Sequence, residues 1–167
     1  MSWLDRAMGR VIRRDEHDKP GVLVHVDIKK LGRIPDGGGH RVSGRAVEDE
    51  NKTGTEANQR PGYAYLHNVV DDHSPFAYTE ILTDEKKENA GGFWERANAA
   101  FNAAGTTVSR VLTDDGSCYR SYAFKDALGP GIRHKRTRPY LPQTNGKVER
   151  FNRTMLDGWA ATGRTPA

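Results

Sequence analysis

The alternation of apolar and polar positions divides the chain into short segments with two different periods. Residues 22–28, VLVHVDI, are a β-branched run with the length and composition of a buried strand. Residues 63–70 and 76–82 read as two more strands, joined through Asp71, Asp72, His73, Ser74 and Pro75. So short a connection predicts antiparallel pairing. Over 89–104 the period changes: Phe93, Ala97, Ala100 and Phe101 share one helical face, which predicts a helix lying on the sheet and closed by Gly105. A strand over 107–112, a short helix over 119–128, a basic strand over 132–136 and a last helix over 148–160 complete the pattern. Pro139 and Pro142 hold the chain extended before a polar loop at 143–147. This order of elements predicts an α/β fold, a mixed five-stranded sheet flanked by helices.

Three stretches stand outside that pattern. Residues 1–20 read as a linker or a short helix, with Trp3, Leu4, Ala7, Met8, Val11 and Ile12 at helical spacing before Pro20 and Gly21 break the chain. Residues 32–62 hold Gly37, Gly38 and Gly39, many charges and almost no large apolar side chain, so they read as a Gly-rich insertion within a core spanning 21–160. Residues 161–167 are a tail. The 167 residues suit one domain with one core. No apolar run approaches the roughly 20 residues of a membrane span, and the N-terminal text lacks the apolar stretch of a secretory signal. Cys118 is the single cysteine, which excludes an internal disulfide and a cysteine-based zinc site. These features predict a reducing, cytoplasmic setting.

The whole chain carries net charge +4. Its distribution is more informative than its size. Arg133, Lys135, Arg136, Arg138, Lys147, Arg150 and Arg153 face one acid, Glu149, in a short stretch, so the remainder of the chain is slightly acidic. Such a cluster attracts phosphate backbones through counterion release, although a solvated basic loop has the same composition.

Three acids lie where chemistry would want them. Asp27 sits in an apolar strand among Val24, Val26 and Ile28, where a charge is costly unless paired, hydrogen-bonded or bound to metal. Asp114 follows a strand, and strand ends open onto clefts in α/β sheets. Glu149 begins the last helix. Each has a plainer explanation: a lysine partner or solvent-facing edge position for Asp27, a turn at Asp114-Asp115-Gly116, and the helix macrodipole for Glu149. Their combination suits hard divalent cations, which take a few carboxylates and leave room for phosphate oxygens. Paired cations can serve both the attacking and the leaving oxygen of a phosphodiester.

At the level of motifs, HVDIKKLGRIPDGGGHR, YLHNVVDDHSPFAY, RVLTDDGSCY and GIRHKRTRPYLPQTNGKVERFNRTM resemble the integrase-like DDE transposases of bacterial insertion sequences, and more distantly the catalytic domains of retroviral integrases. The resemblance runs from about Pro20 to about Leu156. It implies a ribonuclease H-like fold, a catalytic and metal-binding trio of Asp27, Asp114 and Glu149, and Mg²⁺ or Mn²⁺, two ions, as cofactor. It implies element ends and target DNA as partners, a homodimer or higher multimer, and a nucleoid-associated place in the cytoplasm. Gln143, Asn145 and Lys147 match family positions beside DNA. Lys135, Arg136, Arg138, Arg150 and Arg153 are further candidates for DNA contact, or else solvated charges. Asn152, one helical turn after Glu149, is expected to face the same site.

The chain departs from the family in one measurable way. Between Asp114 and Glu149 lie 34 residues, one short of the subgroup's usual spacing. One residue rotates a helix by about 100°, so the loop at Gly129, Pro130 and Gly131 has to absorb the difference for Glu149 to arrive in place. The leading expectation is metal-dependent DNA cleavage and strand transfer. The competing ones are a catalytically inactive, truncated remnant that only binds DNA, and a nuclease acting on RNA–DNA hybrids. The text PQTNGKVER speaks against the last.

Overall fold

Five strands pair into one sheet in the order β3-β2-β1-β4-β5 in the computed structural model, which describes residues 17–33, 62–137 and 146–158. In chain order the elements are β1 (Val24–Gly32), β2 (Tyr63–Asp71), β3 (Ala77–Leu82), α1 (Lys87–Ala103), β4 (Arg110–Thr113), α2 (Tyr122–Leu128), β5 (Arg133–Arg136) and α3 (Gly146–Gly158). β1 pairs antiparallel with β2, and β2 with β3, whereas β4 runs parallel to both β1 and β5. The expected mixed sheet flanked by helices is therefore the observed one.

Alternation along β1 separates the two faces of the sheet. Val24 and Val26 are fully buried in the main core with Val69, Val111, Trp94, Phe93, Phe101 and Phe124, beneath α1 and α2. His25 and Asp27 point to the other face, which α3 covers through Val148 and Asn152, its two buried side chains. α1 begins two residues earlier than its apolar pattern suggested and ends as expected at Gly105, whose φ is +76°. The Gly105 amide donates to Asn102 and the Thr106 amide to Phe101, a paired closure that satisfies the last carbonyls of the helix.

Other elements also have boundaries different from those expected. β1 continues to Gly32, four residues past the β-branched run, because Lys29–Gly32 pairs with Tyr63–Leu66. Lys30 there lies over the Tyr63 ring, 4.1 Å from its centroid, a cross-strand contact invisible in a one-strand pattern. The Arg33 amide then donates to the Gly62 carbonyl, so the two ends of the Gly-rich insertion meet on this ladder. The insertion itself, residues 34–61, lies outside the described residues, as do 1–16, 138–145 and 159–167. β4 is shorter than expected, and α2 starts at Tyr122 rather than 119 because Ser121 caps it, its hydroxyl accepting from the Phe124 amide. α3 begins at Gly146, two residues early.

Gly21 anchors the entry to the sheet. Its φ is +78°, its amide donates to the buried Asp71 carboxylate at 2.8 Å, and its carbonyl accepts from Ser109. A Cβ at this position would lie 2.3 Å from the Thr107 carbonyl oxygen. Gly21→Ala is therefore expected to lose more than about 1 kcal/mol of stability, from left-handed strain and backbone overlap together. Urea denaturation of the two proteins checks this, and an unchanged midpoint refutes it.

Candidate active site

Parallel pairing brings the first two acids together. Val24 is opposite Val111 and His25 opposite Leu112. Continuing that register by two residues sets Asp27 opposite Asp114, just past the end of β4. Burial, and next the negative charge of Asp114, push the Asp27 carboxyl above its ordinary range. Two carboxylates that repel across neighbouring strands are a site where a cation relieves a penalty already built into the fold.

Each acid is held in place. Asp114 is exposed, and its Oδ1 accepts from the Gly116 amide at 2.9 Å, closing a tight turn. A Cβ on residue 116 would lie 2.9 Å from that same oxygen, so glycine keeps the carboxylate where it is. The Thr113 hydroxyl donates to the Asp114 carbonyl at 2.8 Å and therefore accepts from His134 Nε2 at 2.9 Å. His134 Nε2 is then the donor, and burial and then Arg136 lower its pKa. His134 thus braces the turn, edge-on to Phe124.

Asp27 is held from three elements. Its Oδ2 accepts from Asn152 Nδ2 on α3 at 2.7 Å; Asn152 Oδ1 accepts from Asn68 Nδ2 on β2 at 2.6 Å; Asn68 Oδ1 accepts from the Thr79 hydroxyl on β3 at 2.7 Å. Asn152 was expected at this site; Asn68 and Thr79 were not. Their signal is the register, since Asp27 faces Asn68 and Asn68 faces Thr79 across the sheet, and no single-strand pattern shows that. Below the acids lie Cys118 and Tyr119. Burial and then the Asp114 charge push the Cys118 thiol up to about 11, leaving it inert as a nucleophile near neutral pH.

Glu149 is the third acid of the expected trio. It is exposed in the first turn of α3, and among the described residues no group of three His, Cys, Asp or Glu side chains is disposed to hold a metal ion. The parallel register accounts for the approach of two of the three expected acids, Asp27 and Asp114. Val148 and Asn152 face the sheet, and Glu149 lies about 60° around the helix from Asn152.

The basic candidates divide similarly. Lys135 is exposed on β5, and Arg150 and Arg153 are exposed on α3. Arg136 is exposed but bonded to Asp115 at 2.8 Å. Lys147, expected beside DNA, is half-buried and donates to the Asp72 carbonyl, because the first turn of α3 lies over the end of β2. Arg138, Gln143 and Asn145 lie outside the described residues. Arg133 of the basic cluster and Arg110, outside it, sit opposite each other on β5 and β4 and line an open groove of about 410 Å³.

Residues 17–142 match the family described as integrase core domain, and residues 130–165 match a second family of the same description. The chain belongs to the integrase core domain family. Its fold is accordingly the ribonuclease H-like fold of integrase catalytic cores. Over 98 residues this integrase core is 32% identical to a retrovirus-related Pol polyprotein from transposon TNT 1-94 of Nicotiana tabacum; the match takes in 58% of the chain and 7% of that polyprotein. A solved intasome of simian T-cell lymphotropic virus, in complex with a PP2A regulatory subunit, contains a chain that superposes with a TM-score of 0.65 at 22% identity. That superposition covers 100% of this integrase core and 49% of the viral chain. The HTLV-2 integrase catalytic core domain, solved in complex with magnesium, is 17% identical with a TM-score of 0.49 over 83% of this chain and 74% of its own. The chain thus spans about half or less of the first relatives of each kind. No helix among the described residues is long and apolar enough to cross a membrane.

Proposed function

We propose that this integrase core is the catalytic unit of a DDE-type transposase or integrase, carrying out metal-dependent DNA cleavage and strand transfer at element ends and target DNA. The observation that carries the reading is the meeting of Asp27 and Asp114 on neighbouring parallel strands of an integrase core fold. The donor set fits a hard divalent cation: two carboxylates, one raised in pKa by burial and by the other, with no thiolate available. Asp27 and Asp114 would hold Mg²⁺ or Mn²⁺, with Glu149 as the third ligand once α3 turns or shifts toward the pair. Bound there, two such ions supply Lewis acidity to the scissile phosphate and to both flanking oxygens.

The protein's own part is placement. In cleavage, a water oxygen forms the new bond to phosphorus as the bond to the 3′ oxygen breaks, leaving a 3′-hydroxyl and a 5′-phosphate. In joining, that 3′-hydroxyl attacks a target phosphodiester, whose own 3′ oxygen leaves and takes a proton. Lys135, Arg136, Arg138, Gln143, Asn145, Lys147, Arg150 and Arg153 are proposed to hold the phosphate backbone around the acids, within a dimer or larger multimer of cytoplasmic, nucleoid-associated protein. The resemblance to bacterial insertion-sequence transposases supports that origin.

A second reading, a remnant that binds DNA without cutting it, is favoured by one observation: Glu149 is exposed and, among the described residues, no group of three candidate ligands is disposed to hold a metal ion. Incubating the purified chain with supercoiled plasmid and Mn²⁺ separates the two. Nicking that depends on the metal is expected; salt-sensitive binding with no nicking at any metal concentration refutes catalysis and leaves the remnant.

A further inference from the structure

The hydrogen bonds that reach Asp27 form a relay with a fixed direction, and its origin is two strands away on the edge of the sheet. A carboxylate oxygen accepts and does not donate. Asn152 must therefore present Nδ2 to Asp27 Oδ2, which leaves its Oδ1 free to accept from Asn68 Nδ2. Asn68 has then only Oδ1 to offer on its other side, and the Thr79 hydroxyl donates to it. Each amide is asymmetric, so reversing either one sets oxygen against oxygen somewhere along the line. Asn68 is fully buried and Asn152 is 4% exposed, so neither can turn to water in place of its partner. In such surroundings hydrogen bonds polarise one another and an unmatched one is expensive.

We propose that Thr79 and Asn68 are positioning residues for Asp27, acting through Asn152 to hold its Oδ2 toward α3. The proposal rests on the reading of Asp27 and Asp114 as cation ligands. It also assigns α3 its point of attachment: the helix that carries Glu149 is tied to the active strand through Asn152, one turn further on. A partner behind a ligand typically changes metal affinity by about 10–100-fold, and the relay extends that influence to a residue that touches neither acid.

The test uses Thr79→Val, which keeps the β-branched shape suited to a strand and removes only the hydroxyl, beside Thr79→Ser, which restores it. Circular dichroism establishes that both fold. Mn²⁺ binding is then measured by electron paramagnetic resonance, and the side-chain amide signals of Asn68 and Asn152 by NMR. The expected result is about tenfold weaker Mn²⁺ binding in Thr79→Val, recovery in Thr79→Ser, and movement of both amide signals in the valine variant alone. If the Asn152 signal stays in place, or Thr79→Val binds Mn²⁺ as the parent does, the relay is overturned. If the parent protein itself binds no Mn²⁺, the reading of the acid pair fails first, and the inference falls with it.

Discussion

Asp27→Asn is expected to abolish strand transfer and, in the same protein, to raise the melting temperature. The asparagine retains an oxygen that can accept from Asn152 at the place where Asp27 Oδ2 does now. It removes a charge that burial and Asp114 both disfavour. Losing a direct ligand should reduce activity by more than the roughly 10–100-fold typical of losing a group behind one. The gain in stability depends on pH in a defined direction. A carboxyl whose folded pKa is raised binds its proton more tightly in the native state, so its stabilising contribution is complete below the unfolded value near 3.8 and is lost as pH rises through the raised value. The two proteins should therefore melt alike in strong acid and diverge above that window, with the variant the more stable. Melting curves from acid to neutral pH, paired with an oligonucleotide strand-transfer assay, check both halves. A variant that is destabilised at neutral pH, or that still transfers strands, contradicts the assignment of Asp27.

The second large effect is structural. Trp94 is fully buried in α1 within the core that supports the opposite face of the sheet, beside Phe93 and Phe101. Trp94→Ala is expected to lose about 3–5 kcal/mol through lost transfer energy and the cavity left behind. Against a typical total of about 5–15 kcal/mol, that leaves a marginal protein. Because β1 and β4 are backed by this core, metal binding at Asp27 and Asp114 should fail in step with unfolding and not before it. Thermal melts with and without Mn²⁺ measure this; a Trp94→Ala protein that melts like the parent shows the core does not depend on this ring.

The two expectations bear differently on Glu149. Asp27→Asn tests the acid pair, which the sheet alone assembles. Glu149 depends on α3, whose attachment to β1 and β2 runs through Val148, Asn152 and the Lys147 bond to Asp72. A rotation of about 60° separates Glu149 from the direction Asn152 now takes.

Local chemistry was legible in the chain itself. The β-branched run around Asp27, the antiparallel hairpin, the helix with Phe93, Ala97 and Phe101 on one face, and the turn at Asp114-Asp115-Gly116 follow from side-chain period and backbone preference, which act within a few residues. So did the motifs that placed the chain beside the integrases. Tertiary structure decided what those preferences cannot reach. Strand register brought Asp27 to Asp114 and linked Asn68 to Thr79, because hydrogen-bonded ladders join residues far apart in sequence. The setting of α3 buries Val148 and Asn152 and leaves Glu149 exposed, because burying Val148 against the sheet leaves a helix only one set of faces to show to solvent. Lys147 and Arg136, read from the sequence as candidates for DNA contact, have oxygen partners within the fold for the same reason: a fold positions charges by what packs beneath them.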